Sequence, residues 1–159
     1  MGEIMNNQGM DIAIFEAKSG VANGDGGPFG AVVIHNGIIV GQGHNEVVLL
    51  NDPTAHAEIV AIRRASAYLG RFDLSDCELY TTCEPCPMCF AAVQWAGIKK
   101  VYYGCNRDDA AQIGFDDKLI YDILNGNNKT GGPDMINCCR DESLTIFEMW
   151  YNKNDKVQY

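Results

Sequence analysis

Residues 77–104 read CELYTTCEPCPMCFAAVQWAGIKKVYYG, and this stretch decides the fold class. Cys77 to Thr82 has the composition of a strand, and Val101 to Gly104 has the same character. Between them Pro87 to Ala96 reads as a helix begun by proline, whose missing N–H would have no intrahelical partner in a first turn. Strand, helix and strand in succession imply two parallel neighbours joined by a helical crossover.

Upstream, Ala31 to Ile34 and Ile38 to Val40 flank Asn36-Gly37, a dipeptide that accepts positive φ at both positions, so these strands form an antiparallel hairpin. Met10, Ile14, Ala17 and Val21 recur at helical spacing until Asn23 to Pro28 interrupts them. A second helix follows Asn51-Asp52-Pro53, with Thr54 as its predicted cap, Ile59, Ile62 and Leu69 as its apolar stripe and Gly70 near its end. Downstream, Phe115, Leu119, Ile120, Ile123 and Leu124 predict a further helix, and Asn125 to Pro133 a turn-rich connection. Met135 to Cys139 reads as a short strand, and Ile146, Phe147, Trp150 and Tyr151 mark a closing helix. Residues 1–159 therefore read as one α/β domain, a central mixed sheet of about five strands with helices on both faces.

The 159-residue chain is 47% hydrophobic and 21% charged, enough to bury a core without covalent staples. No apolar run approaches the roughly 18 residues of a membrane span, and Met1 to Met10 lacks the apolar centre of a signal peptide. Seven cysteines are an odd number that points to thiols and metal ligands in a reducing compartment, so the expected location is the cytoplasm. A net charge of −9 with only 12 Lys and Arg repels phosphate backbones. The pairs Arg63-Arg64 and Lys99-Lys100 are too short for a cationic landing surface. Neither a nucleic-acid nor a membrane partner is expected.

His56-Ala57-Glu58 and Cys86-Pro87-Met88-Cys89 carry the chemistry. Cys86 and Cys89 stand one turn apart at a helix start, where the helix dipole favours thiolates, and His56 adds a nitrogen from another helix start. Three protein ligands leave zinc a fourth position for water, whose pKa falls to about 7. Glu58 is placed to carry that water's proton, and H-x-E with P-C-x-x-C is a signature of zinc-dependent deamination. Two other readings stand beside this one. Cys83 closes a four-ligand structural zinc site, or Cys83, Cys86 and Cys89 belong to an iron–sulfur cluster, which lacks an obvious fourth cysteine. Gly24 to Gly30 is glycine-rich, but it follows a helix and precedes a strand, the reverse of a dinucleotide loop. Cys138 and Cys139 read as strand residues facing opposite sides. His35 and His44, outside any ligand spacing, read as surface residues.

At these motifs the chain resembles the cytidine deaminase superfamily, and over nearly its whole length the bacterial guanine deaminases within it. The likeness is carried by Gly27-Pro28-Phe29-Gly30-Ala31, Asn51 to Glu58, Cys83 to Cys89, Gly114-Phe115-Asp116-Asp117 and the terminal Tyr159. The first three groups are shared widely among related deaminases, and the last two point to guanine. The resemblance implies a three-layer α/β/α cytidine deaminase-like fold with one zinc per subunit on His56, Cys86 and Cys89. It makes Glu58 the proton carrier and leaves Cys83 outside the ligand set. It further implies Asn45 hydrogen-bonded to the purine, Phe29, Ala57 and Trp95 lining its pocket, and Asp117 contacting or protonating the base near the leaving amine. Tyr159 would cover the site of a partner subunit, the tail from about residue 142 being exchanged within a homodimer. The implied activity is hydrolysis of guanine to xanthine and ammonia. Guanosine, cytosine and tRNA adenosine are the alternative substrates, and a zinc-stabilised binding module is the non-enzymatic alternative. The segment Asn125 to Gly132 and the tail Asp155 to Gln158 depart from the family pattern.

Overall fold

The computed structural model describes residues 2–128 and 130–158, with side chains described from residue 8 onward. Helix α1 (Gly2–Asn23) leads through a glycine-rich loop to strands β1 (Gly30–His35) and β2 (Ile38–His44), then to the one-turn helix α2 (Val47–Leu50) and to α3 (Ala57–Leu69). Strand β3 (Cys77–Cys83), helix α4 (Pro87–Trp95) and strand β4 (Lys100–Cys105) form the predicted crossover, followed by α5 (Arg107–Gln112), α6 (Lys118–Leu124) and α7 (Arg140–Asn152).

The strand order is β2-β1-β3-β4. β1 runs antiparallel to β2 and β3, whereas β3 and β4 are parallel, so the sheet is mixed as expected. Asn36 at φ 50° and Gly37 at φ 78° make the left-handed turn that a two-residue hairpin needs. Alternation along β1 sends Ala31 and Val33 into a core with Leu79, Ala61, Ala65 and Val93, while Val32 joins Tyr80 and Ala13 on the opposite face. Helices α3 and α4 cover the first face and α1 the second, which gives three layers.

Glycines let these covers approach the sheet closely. A Cβ added at Gly30 would lie 2.0 Å from the Ala13 carbonyl oxygen of α1, and one at Gly41 would lie 2.3 Å from the Ala61 carbonyl oxygen of α3. So tight a seat accepts mainly small side chains. Helix α3 accordingly buries Ala57, Val60, Ala61 and Ala65, and the predicted stripe of Ile59, Ile62 and Leu69 is only half-buried.

The five-strand expectation is corrected, because four strands make the sheet among the described residues. Residues 133–139 join no ladder. Met135 is 90% exposed, and Cys139 takes φ 52°, left-handed backbone that an extended strand does not accommodate. Cys138 and Cys139 are exposed and not packed in a strand. Thr54 does not cap α3 either. Its N–H and hydroxyl both donate to Asp52 Oδ1, and His56 occupies the N-cap. Helix α5 escaped the periodicity reading because it is short and polar, yet Asn106 and Asp109 start it with reciprocal capping bonds. Helix α7 buries nothing, and Phe147 is 71% exposed beside Ile146, Met149 and Tyr151. No described helix is long and apolar enough to cross a membrane.

Candidate active site

The N-termini of α3 and α4 converge, and each is started by a residue that does not cap it. His56 and Cys86 hold the two N-cap positions with extended backbones, and neither makes the usual side-chain capping bond. Serine, threonine, aspartate or asparagine at such a position would contribute about 1 kcal/mol to each helix. Here the side chains turn toward one another instead. His56 Nδ1 lies 3.6 Å from Cys86 Sγ and 3.5 Å from Cys89 Sγ, and all three donor atoms fall within 4.8 Å of each other. Tetrahedral zinc with sulfur at about 2.3 Å and nitrogen at about 2.0–2.1 Å places those donors about 3.6 Å apart. The donor set fits that ion, and it is the one such group found among the described residues.

The electrostatics agree. The Cys86 sulfur accepts hydrogen bonds from Cys89 and His56, and they pull its thiol down to about 4 against the opposing effect of burial. Cys89 is pushed up by Cys86 and by burial, and His56 is raised above the usual histidine range by its bond to Cys86. The cluster thus holds a thiolate together with protons that a divalent cation would displace. Cys83 stands outside it. Its Sγ faces the Asn106 carbonyl oxygen at 3.7 Å, and burial raises its thiol to about 11, so the closed four-ligand reading lacks its fourth member.

Glu58 lies in the first turn of α3, two residues past His56, and is buried. Thr81 Oγ1 of β3 donates to its Oε1 at 3.1 Å. Burial raises its carboxyl pKa, and hydrogen bonds from Cys89 and Thr81 only partly offset that.

The residues expected to contact a base come from separate elements of the fold. Asn45, buried at the end of β2, donates its N–H to the Phe29 carbonyl oxygen at 3.0 Å and accepts from Val47 N–H at its Oδ1. Glu46 N–H then donates to the Ala55 carbonyl oxygen at 2.9 Å, tying this segment to the start of α3. Phe29 packs edge-on against Phe115, with ring centroids 4.9 Å apart. Ala57 is fully buried at the first turn of α3. Asp117 stands at the N-cap of α6 but makes no capping bond. Its Oδ1 lies 3.4 Å from Arg107 Nε. Burial raises its carboxyl pKa, and the Cys86 sulfur adds to this while Arg107 opposes it.

Arg107 was missed in the sequence. Its guanidinium lies 3.6 Å over the Tyr121 ring, and Tyr121 Oη donates to the Pro85 carbonyl oxygen. The signal that would have found it is the Asn106-x-x-Asp109 capping box, which places Arg107 at the first position of a helix. His44 also departs from its surface reading, being largely enclosed between two carboxylates. Trp95 ends α4 and is 70% exposed. Tyr159 lies outside the described residues.

Residues 4–105 match the family described as the cytidine and deoxycytidylate deaminase zinc-binding region. The chain belongs to this deaminase family. The deaminase is 45% identical to the guanine deaminase of Bacillus subtilis (strain 168) over 92% of its own length and 94% of that protein. Its fold matches the X-ray structure of guanine deaminase from Bacillus subtilis with a TM-score of 0.90 at 43% identity, covering 96% of this chain and 98% of that one. A tRNA-specific adenosine deaminase from Agrobacterium fabrum (strain C58 / ATCC 33970) is 44% identical over 60% of this chain and 62% of that protein. The likeness to guanine deaminase therefore extends past the zinc-binding region into the part of the deaminase that holds Asp117 and the tail.

Proposed function

We propose that the protein hydrolyses guanine to xanthine and ammonia at a zinc held by His56, Cys86 and Cys89. One observation carries the enzymatic reading. Three donors, and not four, converge beside a buried glutamate, while Cys83 points away. Zinc bound there would supply an activated water.

Glu58 takes a proton from that water and delivers it to a ring nitrogen of the purine, its Oε1 steadied by Thr81. Asn45 hydrogen-bonds the base, and the crossed rings of Phe29 and Phe115 give its flat face a wall. Asp117, with its carboxyl pKa raised by burial, passes the second proton of the attacking water to the leaving amine, and Arg107 stands beside its Oδ1. The extension of the Bacillus likeness through Asp117 supports guanine over a base embedded in tRNA, as does a net charge of −9.

The decisive measurement is a substrate panel on zinc-loaded protein, following ammonia release. Guanine is expected to be turned over to xanthine with a kcat/KM above those for guanosine, cytosine and a tRNA anticodon stem. Preference for any of those three would replace the substrate assignment while keeping the deaminase chemistry.

The same reading includes a homodimer in which the segment from about residue 142 packs on the second subunit. Three observations support it. Apolar residues of α7 are exposed, β4 is an edge strand, and a groove of about 400 Å³ beside it is lined by Phe90, Val93, Val101, Tyr103 and Tyr121. Tyr159 is then the residue that reaches the neighbouring site. Analytical ultracentrifugation is expected to give a dimer for the full chain and a monomer after truncation at residue 133, and a monomeric full chain would remove the exchange.

A further inference from the structure

Away from the metal donors, three charged side chains from three elements meet. His44, the last residue of β2, has Nδ1 3.0 Å from Glu16 Oε2 on α1 and Nε2 2.8 Å from Asp25 Oδ2 in the loop that follows α1. Gln42 Nε2 donates to the second Glu16 oxygen at 2.8 Å. None of the three charged side chains is more than 14% exposed. Gly20 of α1 packs on the ring, where an added Cβ would lie 2.6 Å from His44 Cδ2. An imidazole with a carboxylate on each nitrogen donates from both, so it is the cation. Burial works against that charge. The bonds to Glu16 and Asp25, with Glu46 nearby, overcome it and hold the proton above the usual histidine range.

The clamp reaches the base-binding residues through short connections. The Asp25 carbonyl oxygen accepts from the N–H groups of Val48 and Leu49 at 3.0 and 2.9 Å, which seats the loop on α2. Gly26, the next residue, lies so close to Asn45 that a Cβ there would fall 2.1 Å from Asn45 Oδ1. Asn45 directly follows His44, and its N–H holds the Phe29 carbonyl oxygen.

We propose that His44 is a positioning residue, gripping Glu16 and Asp25 so that the loop from Gly24 to Phe29 stays against Asn45 and purine affinity follows the charge on His44. This rests on the reading of Asn45 and Phe29 as base contacts. Deprotonation leaves the ring one donor for two carboxylates. One of the two bonds is then lost and a ring lone pair faces a buried carboxylate, so the tie between α1, β2 and the loop loosens as pH rises.

The test compares the wild-type enzyme with His44→Gln and Asp25→Asn between about pH 6 and 9, measuring guanine kinetics and amide hydrogen-exchange protection at Val48 and Leu49. In the wild type KM is expected to climb about tenfold as His44 loses its proton, the scale of a lost charge-assisted hydrogen bond, with kcat nearly constant. Both variants are expected to start at the high KM and to lack that climb. A wild-type KM no more pH-dependent than that of His44→Gln, or a loss confined to kcat, would overturn the proposal. The exchange arm needs no substrate. Protection that falls with His44 deprotonation in the wild type, and is already low in both variants, supports the clamp even if guanine proves the wrong base. Equal protection in all three proteins overturns it.

Discussion

Glu58→Gln is expected to keep its zinc and to lose turnover by about 10²–10⁴-fold, the usual yield of a positioned acid–base group. Glutamine has the size of the native side chain and keeps an oxygen for Thr81, whose hydroxyl now donates to Glu58 Oε1. What it removes is the ability to accept a proton and give it back. Burial matters to that role because it lifts the Glu58 carboxyl pKa above its ordinary value, which favours its holding the proton between taking it from water and giving it to the ring nitrogen. The unprotonated form starts the cycle. In the wild type kcat/KM should therefore fall on the acid side at a pH above the ordinary glutamate range, and this limb should be missing from the residual activity of the variant. Metal content by mass spectrometry beside steady-state rates checks the prediction, and a variant with near wild-type turnover would exclude Glu58 as the proton carrier.

Removal of zinc by a chelator is expected to abolish turnover and also to lower the melting temperature, reversibly on readdition. The second effect follows from where the donors sit. His56 and Cys86 occupy both helix N-caps without capping them, so the ion is what ties those two first turns together. An ion bound only by the folded chain adds its binding free energy to folding, so the drop should exceed the about 4–8 °C that two lost helix caps would give in a chain this size. Acid should have the same result. Falling pH returns protons to His56, whose pKa is raised, and to Cys89, whose pKa is raised further, and those protons compete with the cation. Calorimetry with and without chelator, and metal retention followed downward from pH 8, provide the measurements. An unchanged melting temperature together with retained activity would remove the metal from both roles.

The metal donor set was legible because its chemistry is written in local spacing. His56-x-Glu58 and Cys86-x-x-Cys89 needed only the knowledge that each pair begins a helix, and the Asn36-Gly37 turn and proline-started α4 were equally local. What escaped depends on contacts across the fold. Nothing local shows that Gly41 brings α3 so near the sheet that Ala61 and Ala65, and not Ile62, become its buried face. Met135 to Cys139 has strand composition, but a strand also needs a partner, and Cys139 turns the chain left-handed instead. Arg107 and His44 meet Asp117, Glu16 and Asp25 only through the fold, since these partners stand 10 or more residues away. Cys83 shows the reverse case, since its spacing suggested a ligand and its orientation toward Asn106 removes it.

The close seat of α3 on β2 has a bearing on how such a site accommodates its substrate. β2 runs into Asn45, proposed to meet the base, and α3 opens with His56 at its N-cap and Glu58 in its first turn, proposed to act on it. At Gly43 an added Cβ would stand 2.5 Å from Val60 Cγ1, two residues beyond Glu58. The two elements behave as caliper jaws, and the spacer that sets their opening is the single hydrogen atom of a glycine side chain. A methyl group at that spacer would widen the gap between the atoms that grip a substrate and those that transform it, without altering any residue that touches either.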